Sequence, residues 1–215
     1  MAKRLLIAGK TTKLTDELVK QTRAAGYEVI ATLDEEADDR AGSGTELRYV
    51  RWRRRSPLSA RTVVLQSAGV DSEIDEALVV HSPDAAREPL HDLQSAVIEQ
   101  AVDGSVKGPL FMLRELLGYF QKRGGGSLGL VLYQPDGELT APLDASTAGG
   151  FQAVGGGLFT YYRNEPVTLR GFSSTEEQPA EFAEFIVTTL LEGKGAGKWS
   201  RFSSRSRIFS RPRSR

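Results

Sequence analysis

The side chains able to do chemistry are few, and their types narrow the choice. The chain has 215 residues, no cysteine, and two histidines, His81 and His91. Disulfides, thiolate metal ligands and a cysteine nucleophile are excluded, and a histidine-rich metal centre lacks ligands, so no metal site is expected. Lys10-Thr11-Thr12-Lys13 follows Gly9 behind an apolar run. Its ammonium groups and hydroxyls suit a phosphate, or else form an exposed polar turn with no ligand. His81 and Ser82 close another apolar run, where a ligand contact competes with a loop histidine satisfied by its neighbours. Trp52 stands among Arg51, Arg53, Arg54 and Arg55. There a stacking platform beside phosphates competes with a solvated edge over one packed aromatic. Gly193-Lys194-Gly195-Ala196-Gly197-Lys198 imitates a phosphate loop, but Glu192 stands where its first glycine belongs and Trp199 follows Lys198. A flexible linker is expected there.

The elements that must position these groups alternate. Strands are expected at 4–8, 27–32, 47–52, 76–80, 128–133 and 166–171, the first ended by Gly9. Helical spacing of Leu14, Leu18, Thr22 and Ala25 precedes Gly26, a C-cap. Further helices are expected at 90–101, 110–122, 159–163 and 182–191. The glycines Gly149, Gly150, Gly155, Gly156 and Gly157 should break a helix unless packing demands close approach, since each costs about 0.8–1 kcal/mol relative to Ala. Alternation of this kind predicts an α/β fold, a Rossmann-like doubly wound parallel sheet, as a single domain over 1–192. A Gly-rich linker and an Arg/Ser-rich basic C-terminal tail, 193–215, follow, partly docked through Trp199, Phe202, Ile208 and Phe209.

Asp103-Gly104-Ser105-Val106-Lys107-Gly108, a helical pattern to Arg123, then Gly124-Gly125-Gly126-Ser127 and a strand, resembles the middle of short-chain dehydrogenases/reductases. The first 35 residues fit the same frame, with Gly9 in the first turn and an acidic residue at Asp34. The resemblance implies an NAD(P)-dependent oxidoreductase in which a tyrosine exchanges a proton, a lysine four residues on lowers its pKa, and a serine and an asparagine assist. Those positions fall here at Ser146, Gly150, Tyr133 and Ser105, so no catalytic residue is expected. The three glycines of the family's dinucleotide turn fall at Gly9, Lys13 and Thr15, of which one is glycine. Gly9, Lys10, Thr12, Lys13 and Asp34 are the cofactor-binding candidates, Asp34 through a ribose hydroxyl. No cofactor is required by this pattern, and NAD(P) is the one it leaves open. After the sixth strand the chain passes almost directly into the last helix, which leaves little to cover a substrate.

Basic and acidic residues number 28 each, but Lys194 to Arg215 carries eight cations and no acid, so the preceding 193 residues hold a net charge of −8. An acidic domain with a basic end favours self-association, through the family-type helices or the tail, and leaves room for an anionic partner. No apolar run reaches the roughly 18 residues that span a bilayer, and the first is too short for a signal peptide. A cytoplasmic protein without a membrane partner is expected. The function read from the sequence is a non-catalytic structural or interaction module, assembling as a homo-oligomer, with weak nucleotide binding at most. The alternative is an NAD(P)-dependent oxidoreductase using atypical residues.

Overall fold

A computed structural model describes residues 2–34, 47–69, 72–83, 88–135 and 141–204. The acidic run 35–39 and the tail 205–215, with Ile208 and Phe209, lie outside the described residues. Seven parallel strands form one sheet, β1 Arg4–Ala8, β2 Glu28–Leu33, β3 Leu47–Arg51, β4 Glu76–His81, β5 Gly126–Tyr133, β6 Val167–Ser174 and β7 Trp199–Arg201. Their order across the sheet is β3-β2-β1-β4-β5-β6-β7. The order reverses between β1 and β4, which opens a crevice outside the carboxyl ends of the strands.

Among the described residues six α-helices cover both faces: α1 Lys13–Ala24, α2 Pro57–Ala68, α3 Ser95–Ala101, α4 Gly108–Arg123, α5 Pro142–Tyr161 and α6 Pro179–Leu191. Most starts have a local cause. Thr12 and Thr15 form a capping box before α1, Ser56 caps α2, and prolines open α2, α5 and α6. One core lies under α2, α4 and α5, around Leu6, Ile30, Val79, Phe120 and Leu128. The other lies under α1 and α6, around Leu5, Ile7, Leu18, Phe172 and Phe182.

Four sequence expectations change. The helix α2 has no strong apolar stripe and was absent from the pattern, although Ala60, Val63, Val64 and Ser67 are buried. The helix predicted at 90–101 begins only at Ser95 and runs through a π-helical turn, Val102–Lys107, into α4. The glycines do not break α5, which is continuous over 20 residues. Leu143, Thr147, Phe151 and Phe159 anchor it, and a Cβ on Gly155 would lie 2.5 Å from the Trp199 ring. Finally, Gly193–Lys198 is a held connection rather than a free linker: Lys194 N donates to Thr189 O, Gly197 N to Leu169 O, and Gly171 N to Lys198 O. It delivers β7 beside β6, with Phe202 buried behind it.

Candidate functional site

A cleft of about 800 Å³ opens at the carboxyl edge of the sheet. The ends of β1, β2 and β3 supply Lys10, Asp34 and the turn Trp52–Ser56, while Val97, Ala101, Gly104, Leu143 and Asp144 form the opposite wall. The arginine turn is rigidly seated. Trp52 N donates to Leu33 O at 2.9 Å, Arg53 N to Ser59 Oγ at 2.9 Å, and Ser56 N to Arg53 O at 2.9 Å. Gly108 allows this approach, because a Cβ there would meet Arg54 Cβ at 3.0 Å and Arg54 O at 3.1 Å. Arg54 Nη2 in turn donates to Asp34 Oδ1 at 2.7 Å.

The electrostatics follow from crowding four cations, Lys10, Arg53, Arg54 and Arg55, against two carboxylates, Asp34 and Asp144. Burial pushes the Lys10 ammonium down to about 8; Arg54 adds to the shift, while Asp34 and Asp144 oppose it. Burial also lowers Arg54, with Asp34 opposing, yet a guanidinium stays charged at any working pH. At the end of β4, burial pushes His81 down to about 4, helped by the charges of Lys10 and Arg54, so its imidazole is neutral near pH 7. Its ring packs on Phe151 with centroids 5.1 Å apart.

Six buried side-chain polar atoms lack a partner among the described residues: Arg4 Nε, Thr11 Oγ1, Trp52 Nε1, Ser67 Oγ, His81 Nε2 and Gln178 Oε1. Thr11, Trp52, His81 and Gln178 all sit beyond or at carboxyl ends of strands. Buried polar groups are normally satisfied, so this clustering marks the edge as a place where the fold leaves bonding capacity open.

Of the sequence candidates, Lys10 and Asp34 meet in the cleft, whereas Gly9, Thr12 and Lys13 are not on its walls. Gly9 serves packing, since a Cβ would lie 2.8 Å from Val80 Cβ, and its N–H and C=O both bond the Thr32 hydroxyl. Thr12 is spent on the capping box: Thr12 N donates to Thr15 Oγ1 at 2.8 Å, and Thr15 N to Thr12 Oγ1 at 3.3 Å. Lys13 is exposed. Trp52 is 2% exposed, so it is a packed aromatic and not a stacking platform. Sequence reasoning did not assign Arg53, Arg54, Arg55, Leu143 or Asp144 to the site. The only available signal was the arginine run at a strand end.

Of the residues at the family's catalytic positions, Ser146 and Gly150 face solvent, and beside them Thr147 and Phe151 are buried, also four residues apart on α5. The Thr147 hydroxyl donates to Asp144 O at 3.1 Å, and Phe151 carries no ionisable group. Ser105 is buried within the π-helical turn. Neither exposed Tyr161 nor Tyr162 lines the cleft.

No protein-family model and no curated protein matches this sequence. Solved structures do. A short-chain type dehydrogenase/reductase from Mycobacterium marinum superposes with a TM-score of 0.78 at 15% identity, covering 93% of each chain. A short-chain dehydrogenase/reductase family oxidoreductase from Brucella ovis, in complex with a partially ordered NAD, gives 0.75 at 13% identity over 94% of this chain and 100% of that one. A gluconate 5-dehydrogenase from Burkholderia cenocepacia, in complex with NADP and tartrate, gives 0.75 at 12% identity over 94% of this chain and 93% of that one. The chain has the short-chain dehydrogenase/reductase fold.

That fold holds NAD or NADP in two of these solved structures. In the corresponding turn here the amides of Gly9, Thr12 and Thr15 bond threonine hydroxyls. Lys10 and the arginine turn add side-chain charge beside it. Among the described residues there is no group of three His, Asp or Glu able to hold a metal, and no helix long and apolar enough to cross a membrane.

Proposed function

We propose that this chain is a binding protein on the short-chain dehydrogenase/reductase fold, holding a phosphate-bearing nucleotide in the carboxyl-edge cleft without performing hydride transfer. The observation that carries this reading is the pairing of a cationic cleft with an inert α5. Four cations line the cleft, while the inward positions that would need a proton-exchanging phenol and a charged amine hold Thr147 and Phe151. A threonine hydroxyl bonded to a backbone carbonyl has no nearby cation on its helix to lower its pKa. Beyond β6, only residues 175–178 intervene before α6, too few to close over a substrate and exclude water.

Self-association belongs to the same proposal. Gly149, Gly150, Gly156 and Gly157 present open space on α5, and Tyr161 is 82% exposed at its end. Another helix can approach such a face closely. Size-exclusion chromatography with light scattering tests this, and a monomer at micromolar concentration removes it.

The NAD and NADP bound by solved structures of this fold support a second reading, an oxidoreductase working through atypical groups at the cleft such as Lys10. The two separate in one assay. The chain is titrated with NADPH or NADH while Trp fluorescence is followed, then incubated with aldehyde and ketone substrates. Saturable quenching without coenzyme oxidation above the protein-free rate is expected. Oxidation that disappears in Lys10→Met establishes the oxidoreductase instead.

A further inference from the structure

The cleft lies on one side of the switch point in strand order. Its walls come from the ends of β1, β2 and β3, from the α3–α4 segment and from the start of α5, and no residue of β4, β5 or β6 lines it. On the other side of the switch point the space is filled. The His81 ring, 3% exposed, packs against the Phe151 ring, 4% exposed, which also contacts the Trp199 ring with centroids 6.3 Å apart. A dinucleotide lies across such a crevice and places one nucleotide on each side of the reversal in strand order. It also sets its pyrophosphate on the first helix N-terminus, where Thr12 N and Thr15 N here bond each other's hydroxyls.

We infer that the cleft takes a single nucleotide, a phosphomonoester held by Lys10 and Arg54, and that it gains nothing from the second half of a dinucleotide. The inference rests on the nucleotide-binding reading above and narrows its ligand class. Three features fit that ligand. Arg54 is fixed in place by Asp34 and by the close approach of Gly108, so its charge is positioned before binding. Lys10 stands beside it, giving two cations for a dianion. Val97, Ala101, Gly104 and Leu143 give the facing wall an apolar part, suited to a base or sugar face, and Gln100 and Asp144 beside them suit hydroxyls rather than a second phosphate.

Calorimetric titration of the full chain tests this with 5′-AMP, 2′,5′-ADP, NADP⁺, NAD⁺, adenosine and inorganic phosphate as probes. The expected result is that 2′,5′-ADP and NADP⁺ bind within about threefold of one another, and that adenosine binds at least tenfold more weakly than 5′-AMP. Lys10→Met and Arg54→Met should each weaken phosphate-bearing probes at least tenfold, while Lys13→Met leaves them unchanged; thermal melts check that each variant folds. NADP⁺ binding tenfold or more tighter than 2′,5′-ADP overturns the single-nucleotide inference and leaves the nucleotide-binding reading standing. Inorganic phosphate binding as tightly as 5′-AMP also overturns it, by reducing the cleft to an anion site. Absence of binding by every probe at millimolar concentration overturns both.

Discussion

The two edges of the same sheet treat charge in opposite ways. At the amino edge, Lys3 Nζ lies 2.9 Å from Glu76 Oε1, Tyr27 OH donates to Glu76 Oε2 at 3.3 Å, and Arg4 N donates to Asp75 Oδ2 at 2.8 Å. Arg123 bridges Glu73 and Asp75 at 2.6 and 2.7 Å, and Arg170 reaches Ser127 Oγ at 2.6 Å. Burial and the adjacent Glu76 push the Tyr27 phenol up to about 12, so it stays a donor. Among the described residues at the carboxyl edge, cations outnumber carboxylates around an open cleft, and Lys10, Arg54 and His81 all bear the cost of burial. Among the described residues Arg4 Nε and Ser67 Oγ break the pattern at the amino edge, against four unpartnered atoms at the other. The lesson is that one edge ties its polar groups into ion pairs between elements, and the other gathers its charges around a cleft.

The largest expected effect lies at the amino edge. Gly126 has φ 153°, and a Cβ there would lie 2.1 Å from the Phe120 ring. Gly126→Ala should therefore cost at least about 3 kcal/mol, combining backbone strain with overpacking. Urea denaturation measures it, and a loss under 1 kcal/mol would mean that this edge is looser than described. Next comes Asp75→Ala, which strips the partner from Arg4 N and one partner from Arg123. A loss of about 2 kcal/mol is expected, with nucleotide affinity unchanged.

His81 sharpens the contrast through pH. Its folded pKa of about 4 lies below the usual 6.5, so the unfolded chain binds more protons between those values. Stability therefore falls as pH drops from 6.5 toward 4, by about 2 kcal/mol at pH 5. His81→Phe should remove most of that acid sensitivity while staying within about 1 kcal/mol of the parent at pH 7. Equal acid slopes in parent and variant melts would refute the assignment. The smallest effect concerns Lys10, whose charge is lost as pH rises through about 8. Affinity for 5′-AMP should weaken a few-fold between pH 7 and 9, and Lys10→Met should abolish that slope. The same lowered pKa means that the unfolded chain holds more protons between 8 and 10.5, so Lys10 favours folding as pH rises through that window.

Most of the fold was legible because alternation is a local signal. β4 carries the apolar run 77–80 between Glu76 and His81 and is buried along its whole length. What escaped was non-local. Gly155 of α5 looks like a helix breaker until Trp199, 44 positions beyond it, is seen to occupy the space a Cβ would need. Lys10 and Asp34 were legible at the site because each directly follows a strand. Arg54 was not, because its meaning depends on Asp34, 20 residues earlier, and on Gly108, far later in the chain. The facing of α5 escaped for a similar reason: burial against the sheet decides that Thr147 and Phe151 are inside while Ser146 and Gly150 are exposed.

The chain has two tryptophans, one in each kind of environment. Trp52 Nε1 is buried and unpartnered at the cleft, whereas Trp199 Nε1 donates to Gln152 O at 3.2 Å away from it. A proton–nitrogen correlation spectrum, titrated with 2′,5′-ADP, therefore reads the central claim from two indole signals. The Trp52 indole should shift saturably, together with the Ala101 and Gly104 amides, while the Trp199 indole and the amides of Asp75 and Glu76 stay in place. Saturable shifts centred on Asp75 and Glu76, or a spectrum unchanged at millimolar ligand, would contradict the account.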